Sequence, residues 1–209
     1  MATKEPTLLQ KLEKAMLQRK IEAYSRDSFK WLMNEGKRLA GASLRTTLMK
    51  EERRRALKKD PSLITIGSLV MYFYDAKHKD TLDAWDQFPV GFIIGVEKDR
   101  FQILNLHYLP PQRRAYVLQE LLNIANNHRF DATTKLRLSY GIVLKYSKLK
   151  ILKVCYHEYL HDHVKSKIIK IAPKDWEKIV YLPLQQFHKK SASQVWSDSI
   201  VKSNKPPKP

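Results

Sequence analysis

The chain has 209 residues, 43% of them hydrophobic, and carries a formal net charge of +18 with a sequence pI near 9.9. That length is enough for one large folded core, and an excess of positive charge this large indicates a polyanionic partner, most often a nucleic acid. The single cysteine, Cys155, excludes a disulfide framework within the chain and fits a reducing compartment. No stretch has the apolar length of a signal peptide or a membrane span, so we expect an intracellular origin and no membrane partner.

The charge is unevenly distributed along the chain. Residues 1–60 carry 16 Lys and Arg against 8 Asp and Glu, and residues 131–209 carry 16 against 6. Between them, residues 61–130 carry 7 of each sign. This pattern predicts a nearly neutral folded scaffold between two basic flanks that face a nucleic acid.

Residues 1–60 are predicted to form a basic helical arm. Apolar residues recur every three to four positions over residues 8–21 and again over residues 29–39, and Gly41 ends the second helix. A third helix begins near Ser43, runs through "KEERRRALKKD" and ends at Asp60, because Pro61 follows. Few of its residues are apolar, so it is either a solvated arm or a helix that lies on a negatively charged partner.

The centre of the chain, about residues 65–110, changes to β-branched and aromatic composition. "SLVMYFY" predicts a strand after a break at Gly67, and "VGFIIGV" and "FQILNLHYL" predict a hairpin with its turn at residues 97–100. Gly91 and Gly95 indicate bulges or sharp bends. We expect a small antiparallel β-barrel or sheet of SH3-like size, with a polar loop, "DAKHKDTLDAWDQ", between its strands.

The rest of the chain is predicted to be mostly helical. One helix starts at Pro111, and a second is capped by Asp131 or Thr133. "HEYLHDHVKS" indicates a short helix, "KIIKIA" a short strand, "PKDWEKIVYLP" a helix and "SASQVWSDSIV" a last helix. The fold class is therefore α+β, divided into the arm (1–60), a mixed core (61–190), and a short helix with a solvated tail (191–209).

The central block and the C-terminal part resemble a family of tailed-phage proteins of the T-even type and their marine relatives, known as DNA end protector proteins. The resemblance covers about residues 65–200. It rests on a tyrosine–aspartate–lysine run before "DQFP", on "NLHYLPP" before an arginine-bearing helix, and on "WSDS" near the C-terminus. This chain departs from the pattern at residues 82–86, where relatives carry a proline–aromatic pair.

The resemblance implies a non-enzymatic virion protein of the head or neck, made in the host cytoplasm. Such a protein would bind the end of packaged double-stranded DNA without sequence specificity and protect it from host exonuclease. It implies no cofactor, no metal and no catalytic residue. The alternative is a structural head-completion or neck protein, whose basic flanks dock on acidic faces of portal or connector proteins.

A zinc-dependent hydrolase is a remote third hypothesis, raised by H-E-x-x-H at residues 157–161. On a helix this spacing places two imidazoles one turn apart beside a glutamate base. The pattern lacks a clear third ligand, and Lys165 and Lys167 follow where a zinc peptidase buries apolar residues. A structural zinc site at His157, His161 and His163 is the related hypothesis. Four aspartates could instead hold magnesium in a nuclease: Asp75, Asp80, Asp83 and Asp86.

The DNA-binding residues should be lysines and arginines that reach phosphates. The densest cluster is in the arm, and a pair of arginines opens the helix after the hairpin, where free backbone N–H groups also favour an anion. Three lysines could form one basic edge of a strand. The predicted residues are Arg53, Arg54, Arg55, Lys58, Lys59, Arg113, Arg114, Lys165, Lys167 and Lys170. Stacking of Tyr72, Tyr74 or Trp85 on terminal bases is a further hypothesis, against a simple role in the core.

Overall fold

The computed structural model describes residues 8–22, 65–125, 129–147, 150–172 and 183–204, with separate positions between 25 and 38 and between 175 and 179. Its helices are α1 (Leu8–Gln18), α2 (Pro111–Ala125), α3 (Ala132–Ser147) and α4 (Ala192–Asn204). Its strands are β1 (Leu69–Met71), β2 (Trp85–Asp86), β3 (Val90–Val96), β4 (Arg100–Asn105), β5 (Tyr156–Leu160), β6 (Ile169–Lys170) and β7 (Phe187–His188). Short 3-10 helices span Leu106–Tyr108, Lys150–Cys155 and His161–His163.

The main sheet is antiparallel and has the strand order β5-β4-β3-β1-β6, while β2 and β7 form a separate two-stranded pair. The α+β class is therefore confirmed, but the barrel form of the prediction is wrong and the sheet form is right. Closure would require β5 to pair with β6. In the described part of the chain β5 pairs with β4 and β6 pairs with β1, so the sheet stays open.

In the β3–β4 hairpin, β3 has the bounds that the sequence predicts, whereas β4 ends at Asn105 instead of Leu109 because a 3-10 helix begins at Leu106. The Glu97 N–H donates to the Arg100 carbonyl at 2.8 Å and closes the turn, and the register shifts between Ile93 and Gly95, which is a β-bulge. Gly91 serves a different purpose, because a Cβ there would lie 2.3 Å from the Leu104 carbonyl oxygen. The close approach of β3 to β4 therefore requires glycine at position 91.

The two faces of the sheet are covered differently. One face packs on Leu118 and Leu121 of α2, Val143 of α3, and Leu152 and Cys155 of the 3-10 helix before β5. The opposite face is aromatic and packs beneath the loop that joins β1 to β2. Its buried members are Val70, Tyr72, Tyr74, Ala76, Trp85, Ile93, Phe101, Ile103, Tyr159 and Val164. Alternation along each strand produces these two faces, since successive side chains point to opposite sides.

The ends of the chain follow the helical predictions in part. Leu12 and Met16 of α1 are buried against Leu32, as the spacing predicts. Pro111 begins α2, and the Asp131 carboxylate accepts a hydrogen bond from the Thr134 N–H at 2.7 Å, which caps α3. The boundaries proposed for the arm, core and tail remain predictions. Among the described helices, none combines the length and apolar composition needed to cross a membrane.

One predicted element is wrong. Residues 156–160 form the edge strand β5 rather than a helix, in register with β4 through pairs such as Phe101 with Tyr159 and Ile103 with His157. The segment alternates more buried and more exposed side chains, with His157 and Tyr159 inward and Glu158 exposed. Histidine content and charge obscured this alternation of period two, and tertiary pairing decided the conformation.

Candidate nucleic-acid interface

A buried polar network connects "DQFP" and "NLHYLPP", two of the segments that carry the resemblance found in the sequence. It consists of Asp86, Asn105, His107 and Tyr159, each at most 5% exposed. His107 Nδ1 lies 2.7 Å from Asp86 Oδ2, and Asn105 Nδ2 donates to the same oxygen at 3.2 Å and to the Tyr159 hydroxyl at 2.9 Å. Asp86 Oδ1 accepts from two backbone N–H groups, those of Phe88 and Gln186, each at 3.1 Å.

These contacts determine the protonation states in the network. Burial by itself raises the pKa of Asp86, but His107 and the donated hydrogen bonds outweigh burial and leave the pKa below its usual value. Burial lowers the pKa of His107, and the neighbouring Asp86 offsets this only in part. Asp86 is therefore charged and His107 neutral. The Asp86 carboxylate accepts a hydrogen bond from the Nδ1–H group of His107, because a carboxylate can only accept.

Arg114 belongs to the same buried region. It is 1% exposed, and its guanidinium donates to the Leu109 carbonyl at 2.7 Å and the His107 carbonyl at 3.2 Å. The indole N–H of Trp196 donates to the same His107 carbonyl at 2.8 Å, and the guanidinium lies 5.4 Å from the centre of that ring. Burial lowers the pKa of Arg114 to about 9, so it stays charged at neutral pH. "DQFP", "NLHYLPP" and "WSDS" thus meet in the core.

An open cleft of about 390 Å³ lies above this network. It opens between the β1–β2 loop and β5, and we call it the aromatic cleft. Its wall residues include five rings: Tyr74, Trp85, Tyr108, His157 and Tyr159. Lys77 and His78 of the loop are exposed and also line it. A lysine beside aromatic rings makes a surface suited to a nucleotide.

The two H-E-x-x-H histidines and His163 each contact a different backbone carbonyl. His157 contacts the Val154 oxygen at 3.1 Å, His161 the Glu97 oxygen at 3.3 Å, and His163 the Asp75 oxygen at 2.7 Å. On a strand, His157 and Glu158 also point to opposite faces, which removes the helical geometry that a zinc peptidase requires. Within the described residues, no cluster of three His, Cys, Asp or Glu side chains is placed to hold a metal ion.

The four aspartates of the nuclease hypothesis lie in different environments, one in the core and the others at the surface of the loop. Asp86 is buried in the network, whereas Asp75 pairs with Lys79 at 3.2 Å on the surface of the loop. Asp80 and Asp83 are exposed. A magnesium site needs several oxygen ligands that converge on one point, and this arrangement does not bring the four carboxylates together.

The predicted DNA-binding residues fall into three groups. Arg53, Arg54, Arg55, Lys58 and Lys59 lie outside the described residues. Arg113 is half-buried and donates to the Ser203 hydroxyl at 3.3 Å, while Arg114 faces the core, where a phosphate cannot reach it without local opening. The remaining three, Lys165, Lys167 and Lys170, we call the basic edge.

The basic edge runs along one margin of the sheet. Lys170 is exposed on the edge strand β6, Lys165 is exposed, and Lys167 is half-buried. The preceding turn is joined to the β1–β2 loop, because the Asp75 N–H donates to the His163 carbonyl at 3.0 Å. The basic edge and the loop that carries Lys77 are therefore neighbours.

Asn105 and His107 are buried polar residues of the network to which no sequence motif assigned a role. Both are polar residues inside an apolar run, "FQILNLHYLP", and that contrast was the signal that could have identified a buried network.

The fold and these residues define an α+β protein with an aromatic cleft beside a basic edge. Residues 9–202 match the family model described as the phage T4 terminal DNA protecting protein, and the chain belongs to that family. It is thus a bacteriophage protein of a family named for protecting DNA ends, and the resemblance found in the sequence is confirmed. No curated protein and no solved structure gives a significant match.

Proposed function

We propose that this protein binds the terminus of packaged double-stranded phage DNA without sequence specificity and shields it from host exonuclease. The family match across residues 9–202 carries the proposal. The corresponding location is the virion, on the packaged DNA at the head or neck. Docking on portal or connector proteins, the alternative from the sequence, stays a prediction. Such a role requires no reaction of the protein's own, since a bound terminus is sterically closed to a nuclease.

The charge of the chain supports this function. Lys and Arg number 39 against 21 Asp and Glu, and such an excess releases counterions from DNA when it binds phosphates. Contacts of this kind do not depend on sequence, because every nucleotide carries the same phosphate. The affinity should therefore fall steeply as salt rises.

The basic edge is the part of the described surface that we assign to the phosphate backbone. Lys165 and Lys170 are exposed, and their segment adjoins the loop that carries Lys77. Lysines reach phosphates as mobile point charges and need no fixed geometry. The arginines and lysines of residues 53–59 are proposed as a second contact.

The test combines DNA binding with protection. Linear duplexes of unrelated sequence are incubated with the protein and then with a processive exonuclease, and binding is measured by gel shift over a salt series. Wild-type protein should bind all duplexes similarly and delay their degradation. Changing Lys165, Lys167 and Lys170 together to Gln should reduce the slope of log affinity against log salt by up to about 3, because each lysine that neutralises a phosphate adds roughly one to that slope.

The matched control changes Lys98, Lys145 and Lys153 to Gln, which removes the same charge from exposed lysines on other elements. Equal effects of both triple variants would show that net charge matters and the basic edge does not. Degradation of linear DNA at the same rate with and without wild-type protein would refute end protection itself.

A further inference from the structure

Recognition of a DNA end poses a chemical problem that basic residues do not solve. Contacts to internal phosphodiesters are the same near the end of a duplex and in its interior, so they cannot favour a terminus. A terminal base pair differs because it is stacked on one side only. Its bases therefore leave the helix at a lower cost than bases inside the duplex. A pocket that accepts an unpaired base would convert this difference into a preference for ends.

The aromatic cleft has the size and rigidity for such a pocket. Its volume of about 390 Å³ lies in the range of small-molecule sites, about 300–1,000 Å³. Its rings hold one another in place: Tyr74 packs on Tyr159 edge to face at 4.7 Å, and Tyr108 stacks on His157 at 4.0 Å. Because Tyr159 is also hydrogen-bonded within the buried polar network, the wall is formed before a ligand arrives.

The rim of the cleft supplies positive charge. Lys77 is exposed, and among the described residues it makes no ion pair, whereas Lys79 is held by Asp75, and Arg100 and Glu158, which also line the cleft, pair with each other at 2.7 Å. The loop that carries Lys77 is itself anchored, because the Lys189 ammonium donates to the carbonyls of Asp80 at 2.8 Å and Leu82 at 2.9 Å. A phosphate that follows a bound base would therefore meet Lys77 at a loop with a defined position.

We infer that the aromatic cleft binds the unpaired terminal nucleotide of the DNA, with the base against the aromatic wall and its phosphate at Lys77. This inference rests on the proposed function and adds the contact that selects an end. Tyr72, the other ring considered from the sequence, is fully buried and cannot reach a base. Tyr74 and Trp85 each keep 7% of their surface exposed and line the cleft.

The decisive comparison uses one DNA sequence in two forms, a linear duplex and a relaxed closed circle of equal length. Wild-type protein should bind the linear form more tightly. Ala84→Phe, which fills the cleft from a half-buried wall position, should reduce that preference by about tenfold, the effect of losing one stacked base. Its affinity for the circle should stay within about twofold of wild type, because phosphate contacts are unchanged.

Two matched controls separate the cleft from general effects. Ala172→Phe adds the same ring at an exposed alanine outside the cleft, and Lys98→Ala removes an exposed lysine from the β3–β4 turn for comparison with Lys77→Ala. We expect both controls to keep the wild-type preference for the linear form. Lys77→Ala should lower it.

The outcomes distinguish the two proposals. If wild-type protein prefers linear DNA and Ala84→Phe keeps that preference, the cleft does not select the end and the proposed function stands. If wild-type protein binds both forms equally or neither, both proposals fail. A readout without variants uses 5-iododeoxyuridine at either terminal position: photocrosslinks to residues 74–86, 108 or 156–160 support the cleft, and crosslinks confined to other segments overturn it.

Discussion

Asp86→Ala tests whether the buried polar network holds the core together. The Asp86 side chain is inaccessible to solvent and accepts from four donors: His107 Nδ1, Asn105 Nδ2 and the backbone N–H groups of Phe88 and Gln186. Removal of the carboxylate leaves these donors buried without an acceptor. Each unsatisfied buried donor costs about 1–3 kcal/mol, and water entering the vacated space recovers part of that cost.

We therefore expect the free energy of unfolding to fall by about 4 kcal/mol or more, a large part of the 5–15 kcal/mol typical of a domain. Urea denaturation followed by tryptophan fluorescence measures this loss. Asp86→Asn should cost less, about 2 kcal/mol, because its oxygen still serves the two backbone donors while its amide group faces the Asn105 donor. The order of the two variants checks the hydrogen-bond assignment.

Asp83→Ala is the matched control, since Asp83 is an exposed carboxylate in the same loop. It should change stability by at most about 0.5 kcal/mol. An unfolding free energy for Asp86→Ala within about 1 kcal/mol of wild type would refute the reasoning, because the network would then be dispensable.

Other changes test separate parts of the fold. Gly91→Ala should destabilise by about 2 kcal/mol or more through its clash with the facing strand, whereas Gly141→Ala should stabilise by up to about 1 kcal/mol, because its Cβ would meet nothing within 4 Å on a helix. Arg114→Met should cost about 2–3 kcal/mol in the same unfolding assay, and the half-buried Arg113→Met at most about 1; equal losses would contradict the assigned core role. Burial lowers the pKa of His157 to about 4, below its value in the unfolded chain, so the unfolded state binds more protons between those two values. Stability should therefore fall by roughly 1–2 kcal/mol as pH drops from 7 to 5, and His157→Phe should remove this part of the pH dependence; an unchanged profile would show that His157 is not the titrating group.

The lowered pKa of His157 also limits how much positive charge the histidine-rich segment can supply. Three histidines beside a basic strand could add positive charge for DNA below neutral pH. With its pKa lowered to about 4, His157 stays neutral at pH 6 and contributes no charge to DNA binding there. DNA affinity compared at pH 6 and pH 8 therefore reports on groups other than His157.

Sequence patterns predicted secondary structure correctly where neighbouring residues alone determine the conformation. The strand composition and turn residues of residues 90–109 predicted the hairpin, although β4 ends at Asn105, and Pro111 and Asp131 marked the starts of α2 and α3. The same use of local patterns predicted a helix, incorrectly, for the residues that form β5. An H-E-x-x-H pattern is compatible with either a helix or a strand, and only pairing with β4 selects between them.

The arginine pair at the start of α2 shows a second limit. Arg113 and Arg114 are adjacent in the sequence, and both were predicted to contact DNA from their charge and their position at the start of a helix. Helical geometry turns adjacent residues about 100° apart, so Arg113 stays near the surface while Arg114 points at the His107 and Leu109 carbonyls. Charge in a sequence thus predicts a polyanionic partner but not which cations are free to meet it.

The sequence by itself determined the α+β class and the family and predicted a polyanionic partner, because these depend on composition, periodicity and short motifs. Only the tertiary structure decided what the motifs do. Asp86, His107 and Trp196 lie far apart along the chain, yet they share hydrogen bonds in one buried site beneath the aromatic cleft. Contacts between distant residues depend on how strands and helices pack, and that packing is not encoded in any local stretch of sequence.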